Sequence, residues 1–346
     1  GGQNALGLSI VLGVFVATPL FGAFYQLNRY LDQDVRMDFF VASIPWLPFV
    51  LLHIGALLFF LLLGTTHKME SARRHGLSKL QALAAMGTLA ALAVGGRTNW
   101  GPTGTSALVL LYALVAAGVI LAALITPSLL DHVTGLRRAR KEGLVAPSVW
   151  SDNAPNRTAL FGLCAVILAT GSILGRGWIE PFNTSRLPTS SGYPLAVAVG
   201  VLSVAYFGLA SQYFLLRFGR RGPSFFGLFL FVAWGLPMIL GVVALASMAP
   251  GQTAEVSAML IFSASPIVGL ASASGFLDQQ AGSGPAMVAI TCALLYAFVF
   301  QMLYTKAVRR VRRGVELLDA PKEADGGPDA DPDFQDAAAK PAAATA

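Results

Sequence analysis

Long apolar stretches separated by short polar segments dominate the hydropathy pattern of this sequence. Most of them approach the roughly 20 residues that a helix needs to cross the hydrocarbon core of a bilayer. Because unpaired backbone groups are unfavourable in hydrocarbon, such stretches are predicted to form helices. The apolar stretches are Ala5–Leu27, Phe39–Gly64, Leu80–Gly96, Ala107–Thr126, Thr158–Gly175, Pro194–Leu216, Phe225–Met248, Glu255–Gly275 and Pro285–Tyr304.

The composition agrees with this pattern. Of the 346 residues, 55% are hydrophobic and only 12% are charged, about half the charged share of an ordinary soluble domain. A soluble fold of this length would need more polar surface than these residues can provide. The predicted fold is therefore an all-α, polytopic transmembrane helix bundle, and its main solvent is lipid.

The basic residues are distributed unevenly among the connecting segments. Basic residues in short loops mark the cytoplasmic side of a membrane protein. The formal net charge of +6 thus reflects membrane orientation, and no nucleic-acid partner is predicted. Lys and Arg cluster in Thr65–Lys79, Pro127–Arg157, Arg217–Pro223 and the segment after Tyr304.

The stretch Glu255–Gly275 does not fit the alternation of connecting loops between the cytoplasmic side and the outside. If it crossed the membrane completely, the basic segment after Tyr304 would lie outside. Ser265 and Pro266 lie at its middle, and a proline there removes a helical hydrogen bond and kinks or breaks the chain. We therefore predict that residues 255–278 form a re-entrant or broken helical pair that enters from the outside.

Together these patterns predict about eight spans, with both termini in the cytoplasm and a bacterial inner membrane as the location. Residues 1–64 supply two additional transmembrane helices, and residues 65–313 form a six-span bundle. Residues 314–346 are rich in Asp, Glu, Gly, Pro and Ala. A segment of this kind cannot bury enough apolar surface to fold, so it is predicted to be a disordered acidic cytoplasmic tail.

No catalytic, cofactor-binding or metal-binding constellation is evident in the sequence, so no enzymatic activity is predicted. Of the four histidines, only His53 lies within a predicted span, where it is either an interhelical hydrogen-bonding group or a functional ionisable group. Cys164 and Cys292 both lie in apolar stretches. They are interpreted as small buried hydrophobic side chains rather than a disulfide.

The segment Pro127–Arg157 carries the most information outside the spans. Ser128 and Asp131 resemble a capping box, and Gly143 follows at the position of a helix C-cap. A short amphipathic cytoplasmic helix is therefore predicted, either lying on anionic lipid or docking a cytoplasmic partner. The candidate docking residues are an apolar stripe of Leu129, Val133 and Leu136, a basic group of Arg137, Arg138 and Arg140, and Trp150 in the loop that follows.

In the order of its elements, the chain from residue 65 to 313 resembles the permease subunit of a type-2 ATP-binding-cassette exporter. A basic lead-in (Lys68–Lys79) precedes two spans and the helix-bearing loop "LLDHVTGLRRARKEG…PSVWSDNAPNR". Three further spans, a broken outside pair containing "SASPIVGL" and a last span ending inside complete the order. Two spans precede this unit, as in a longer or fused permease.

The resemblance implies a function for this arrangement. The chain would be the membrane-spanning subunit of an ATP-driven exporter, and a separate cytoplasmic ATP-binding-cassette protein would dock on residues 127–157 and hydrolyse ATP. Two six-helix units would assemble, either as a homodimer or with a second permease half.

Two other classes of protein remain as alternatives. A non-transporting membrane subunit or scaffold needs no polar path and no docking loop, and the scarcity of charged residues in the spans suits it. An integral-membrane enzyme is the weakest alternative because the spans contain no clustered acids, histidines or nucleophiles.

Overall fold

A computed structural model describes residues 36–40, 42–45, single positions and short pieces between 48 and 63, and residues 77–96, 105–176, 192–237, 265–273 and 284–318. The predicted span Ala5–Leu27, most of the predicted tail and His53 lie outside the described residues. The described part is mainly helical. Its elements are β1 (Arg36–Phe39), β2 (Ala42–Pro45), α1 (Lys79–Gly95), α2 (Thr105–Leu124), α3 (Leu129–Lys141), α4 (Arg157–Arg176), α5 (Gly192–Phe218), a 3₁₀ turn (Gly219–Arg221), α6 (Gly222–Leu230) with a π-helical extension (Phe231–Gly235), α7 (Pro266–Ala273) and α8 (Gly284–Leu318).

The antiparallel hairpin of β1 and β2 differs from the all-helical prediction. Met37 pairs with Ile44 across the hairpin, and Phe40 adopts a positive φ of 54° at the turn. Tertiary contacts accompany this conformation, because the Phe40 N–H donates to the Gly95 carbonyl at 3.0 Å and the Phe40 ring lies where a side chain on Gly95 would stand. The hydropathy pattern cannot predict this contact, because Phe40 and Gly95 are far apart along the chain.

Several described helices are suited to a bilayer. By length and composition, three helical stretches could cross a membrane, namely Arg157–Leu174, Tyr193–Gly235 and Ala286–Glu316. A fourth is obtained if Leu110–Leu124 and Leu129–Lys141, which are bent by 61° from each other, are counted as one broken span. The helical, membrane-compatible character of the chain is thus confirmed, whereas the number of eight spans stays a prediction.

The longest of these stretches, Tyr193–Gly235, reverses direction at the 3₁₀ turn. The Phe214 ring lies 5.7 Å from that of Phe229, and the Phe207 ring lies 5.3 Å from that of Trp234. Residues progressively further along α6 therefore pack against residues progressively earlier in α5. The stretch comprises one full helix and a helix that returns beside it.

Helix α5 lies at the centre of the described core, and small residues let its neighbours approach closely. A side chain on Gly208 would collide with Leu160 of α4, and one on Gly200 would lie 2.9 Å from Val115 of α2. Glycines at such crossings are typical of helix packing in lipid, where close contact replaces the hydrophobic driving force.

The same contacts define the helix directions. Val115 and Gly118 of α2 lie beside Gly200 and Val204 of α5, so these two helices are parallel. In α8, Tyr296 and Phe300 lie beside Tyr206 and Tyr213 of α5, so α8 is also parallel to α5. In α4, Leu160 lies beside Gly208 and Gly171 beside Val197, so α4 is antiparallel to α5.

These directions bring the described basic segments to one end of the bundle, which we call the basic end. It contains Lys79 at the start of α1, residues 125–157, the turn Gly219–Arg221 and the last turns of α8. Helix α8 continues to Leu318, five residues into the segment predicted to be a disordered tail. It does so because Val311 and Val315 are buried against α3.

Candidate functional site at the basic end

Helix α3 begins and ends as its sequence predicts. The Asp131 N–H donates to Ser128 Oγ at 3.2 Å, and the Ser128 N–H donates to Asp131 Oδ2 at 3.3 Å, which completes the capping box. At the other end, Gly143 has a φ of 74°, the left-handed conformation that follows many helices. Local chemistry therefore determines where this helix starts and stops.

The apolar stripe of α3 is covered by the chain itself. Leu136 is 8% exposed and forms a buried cluster with Val311 and Val315 of α8. Leu129 and Val133 pack against the same cluster. The predicted docking stripe is thus a contact between two helices of the same chain, and a protein partner would meet other surfaces of this segment.

The basic residues of α3 surround this contact. Arg140 forms an ion pair of 3.5 Å with Glu316 of α8, and Arg312 pairs with the same carboxylate at 3.4 Å. Arg138 pairs with Glu142 at 3.2 Å within its own helix. All these side chains are substantially exposed, so each pair contributes at most about 1 kcal/mol. Arg137 is exposed beside them.

Lys79 anchors the loop that follows α3. Its side chain is buried, and Nζ donates to the carbonyl oxygens of Val149, Ser151 and Ala154 at 2.9, 2.7 and 3.1 Å. The Lys79 N–H donates to Asp152 Oδ1 at 3.2 Å. One ammonium group therefore fastens the loop to the first turn of α1.

The electrostatics of this anchor follow from its burial. Desolvation lowers the pKa of Lys79 to about 8, and the nearby Asp152 carboxylate partly offsets that effect. The ammonium is therefore still mostly charged at neutral pH, as its carbonyl acceptors require. In the sequence, Lys79 indicates only that its segment lies on the cytoplasmic side of the membrane. No short motif reveals the anchor, because its acceptors are main-chain atoms 70 to 75 residues away along the chain.

Beyond the anchor, the loop presents an exposed apolar surface. Val145 is 77% exposed and Trp150 56%, and Leu144 and Val149 are also exposed. We call these four residues the apolar loop surface. Four large exposed apolar side chains within one stretch of seven residues are typical of a contact with another molecule. Of the predicted docking residues, Trp150 belongs to this surface.

The remaining candidate residues lie elsewhere. Helix α7 begins at Pro266, and the buried Ser265 hydroxyl donates to the Trp234 carbonyl at 3.5 Å. Leu270 of the same helix lies 4.0 Å from where a Gly200 side chain would be, in the half of α5 remote from the basic end. The structure therefore does not bring Ser265 and Pro266 together with the docking residues.

Within the described residues, no group of three or more His, Cys, Asp or Glu side chains is arranged to hold a metal ion. Cys164 and Cys292 are both free thiols. Comparison with protein-family models, with curated proteins and with solved structures finds no match to this chain. The described fold defines a class of protein, a bundle of apolar helices that is compatible with a membrane protein.

Proposed function

We propose that this chain is the membrane-spanning permease subunit of an ATP-driven exporter of the type-2 ATP-binding-cassette class. In this proposal the basic end faces the bacterial cytoplasm, and a separate cassette ATPase docks there. The observation that carries the proposal is the construction of the basic end, where a loop with an exposed apolar surface is fastened to α1 by Lys79 and, through α3, to α8.

The order and directions of the helices support the proposal. Helices α1 and α4 leave the basic end, and α2, α5 and α8 return to it, with α3 lying between α2 and α4. Helix α6 leaves the basic end again, and its described extension ends about midway along α5, where Trp234 packs on Phe207. The resemblance implies that residues 255–278 then form a re-entrant segment on the outside.

A second support is mechanical. Lys79 fastens the loop to α1 through three short hydrogen bonds, and Leu136 with Arg140 fastens α3 to α8. A displacement of the loop by a docked ATPase would therefore move both helices together. Exporters of this kind require a nucleotide-driven motion to switch a membrane bundle between two packings.

The sequence leaves two interpretations of α3, a helix that lies on anionic lipid or a helix that docks a cytoplasmic partner. The position of its apolar stripe argues against the first. An interfacial helix inserts its apolar face into the lipid headgroup region. In α3 that face is turned towards Val311 and Val315 of α8, so it is not available to lipid. We therefore infer that the partner contact lies on the apolar loop surface.

The test is to purify the full chain from its native membrane, with and without Trp150→Asp, and to identify what accompanies it. We expect a P-loop ATPase to co-purify with the unchanged chain and to be lost with Trp150→Asp. Thr134→Asp is the matched control, because Thr134 is exposed on α3 but lies outside the apolar loop surface. ATPase binding should survive that change.

The scaffold interpretation predicts a different result. Helix α2 contains no charged residue and α5 contains only Arg217, in its last turn, so these helices offer no ionisable path through the membrane. A stable complex with other membrane subunits and without any nucleotide-binding protein would refute the permease proposal and favour a scaffold.

A further inference from the structure

The surface formed by α3 and the end of α8 carries a large excess of positive charge. Within residues 129–142 and 309–316, the exposed acidic side chains are Glu142 and Glu316, and both form ion pairs with arginines of α3 or α8. Eight exposed basic side chains in the same ranges leave an excess of six positive charges. They are Arg137, Arg138, Arg140, Lys141, Arg309, Arg310, Arg312 and Arg313.

The apolar loop surface begins directly beside this basic surface. The Leu144 N–H donates to the carbonyl of Ala139, near the end of α3, at 2.8 Å. From the other side, Arg312 Nη2 of α8 donates to the Val145 carbonyl at 3.5 Å. Both apolar side chains are exposed. An apolar surface with cations on two sides is complementary to a ligand that combines an apolar group with negative charge.

This part of the apolar loop surface lies beyond the predicted end of the last span. Arg312 follows Tyr304 by eight residues of α8, which is about 12 Å along a helix axis. Because the predicted span ends at Tyr304, the contact between Arg312 and Val145 lies past the hydrocarbon of the bilayer. A ligand on the aqueous side is therefore favoured over lipid tails.

The chain itself contains a segment with the required chemistry. Helix α8 ends at Leu318, and residues 319–336 contain seven acidic side chains and a single basic one, Lys322. Phe334 is the one large apolar side chain in residues 319–346, and it has aspartates on both sides. The segment around Phe334 thus combines an aromatic ring with clustered negative charge.

We propose that residues 329–336 dock on the part of the apolar loop surface formed by Leu144 and Val145. The Phe334 ring lies against these two side chains, and the flanking aspartates lie beside the arginines of α3 and α8. The contact needs no folded structure in the docked segment, because an extended chain can present one ring and several charges to a surface.

The position of α8 makes this docking intramolecular. The 16 residues from Asp319 to Phe334 can span up to about 50 Å, whereas the contact with Val145 lies six residues before the end of α8. A segment tethered so closely has a millimolar effective concentration, so a weak contact is sufficient. Exposed ion pairs are individually weak, so docking covers the surface but adds little to thermal stability.

The proposal goes beyond the transport function and does not depend on it. If an ATPase binds the apolar loop surface, the docked segment competes with that ATPase for Leu144 and Val145. The experiments below use the purified chain without any ATPase, so their results test the docking of the segment and not the permease proposal.

The first experiment measures how fast a disulfide forms between Ser148→Cys and Gln335→Cys. The full chain is purified in lipid nanodiscs, in a background without Cys164 and Cys292. We expect an intrachain disulfide several-fold faster than for the control pair Thr134→Cys and Gln335→Cys, because Thr134 is exposed on α3 but lies outside the apolar loop surface. High salt should slow the first pair towards the control rate, since it screens the charges.

Two variants of Phe334 separate docking from chance collision. Phe334→Ser keeps every charge of the segment but removes the ring, and it should slow the Ser148→Cys pair to the control rate. Phe334→Leu keeps an apolar side chain and should preserve most of the difference. Neither variant changes a residue of the helix bundle. Equal rates for the two cysteine pairs, or a rate that Phe334→Ser leaves unchanged, would overturn the proposal.

The second experiment tests the rival occupants, which are the bilayer and a second copy of the chain. Removing everything after Asp319 should raise the rate of thiol labelling at Ser148→Cys several-fold, in zwitterionic and in anionic nanodiscs alike. An unchanged rate would overturn the proposal, and protection that increases with anionic lipid would assign the surface to the membrane instead. Disulfides between two chains, in place of the intrachain product, would assign it to a second copy.

Discussion

At the scale of single residues, Lys79 shows how one buried charge can organise a loop. An ammonium group is tolerated inside a protein only when acceptors replace its water shell. Here main-chain carbonyls of Val149, Ser151 and Ala154 provide that replacement. The cost of burial is visible in the lowered pKa of the group.

We predict that Lys79→Met loosens the loop without preventing insertion of the helices. The change keeps most of the length of the side chain but leaves the carbonyl acceptors of Val149, Ser151 and Ala154 without their donor. Each buried group left unpaired costs about 1–3 kcal/mol. Limited proteolysis at residues 142–156 should accelerate markedly, whereas far-ultraviolet circular dichroism should change little.

Lys141→Met is the matched control for that prediction, because Lys141 is exposed at the end of α3. It removes the same charge from the same end of the molecule and should leave proteolysis unchanged. Equal acceleration in both variants would show that net charge, and not the anchor, controls the loop.

His132 illustrates a second effect of burial at the residue scale. Desolvation lowers its pKa, the hydrogen bond to the Asn153 carbonyl partly opposes that effect, and the charge of Lys79 lowers it further. The imidazole is therefore neutral at neutral pH.

At the scale of elements, the contact between α3 and the end of α8 joins two segments that hydropathy had separated. Residues after Arg313 had been assigned to a disordered acidic tail, yet α8 continues through Val315 and Glu316. Val315 is buried against α3, and Glu316 pairs with both Arg140 and Arg312. The helix is thus extended by a tertiary contact, and the acidic segment proper begins after it.

This contact predicts a difference between two truncations. Removing everything after Asp319 should leave the thermal midpoint in detergent unchanged, because the contact with α3 is retained. Removing everything after Arg313 deletes Val315 and Glu316 and should lower the midpoint by several degrees, since burial of a valine side chain contributes about 1.5–3 kcal/mol.

The shorter truncation is the internal control for expression and insertion. If both truncations behave alike, the α3–α8 contact does not contribute to stability. If the truncation after Asp319 already destabilises the protein, the remaining tail is a structural element and its predicted disorder is wrong.

At the scale of the whole molecule, the directions of the helices define the side on which each connection lies. The described extension of α6 ends about midway along α5, where Trp234 packs on Phe207, whereas α8 begins at the end opposite the basic end and returns to it. If the basic end is cytoplasmic, as the clustering of Lys and Arg predicts, the start of α8 faces the outside.

We therefore predict that a cysteine introduced at Gln280 is labelled from the outside of intact cells, and one introduced at Glu142 only after the membrane is opened. The background should lack both natural thiols, Cys164 and Cys292. Labelling of position 280 only from the inside would show that residues 255–278 cross the membrane completely and would reject the re-entrant interpretation.

Local chemistry was sufficient to predict the helical character of the described spans and both ends of α3. Apolar runs of about 20 residues partition into lipid whatever their neighbours are, and the capping box of Ser128 and Asp131 acts within a single turn. These features were therefore readable from the order of residues alone. The hairpin at residues 36–45 was not, because it depends on contacts with Gly95.

The tertiary structure alone decided which surfaces of the basic end are covered and which are exposed. The stripe of Leu129, Val133 and Leu136 has the pattern of a docking face, but α8 covers it, and periodicity reports that a face is buried without reporting by what. The Lys79 anchor arises in the same way. Its donor and acceptors are 70 to 75 residues apart along the chain, and only the packing of the helices brings them within hydrogen-bonding distance.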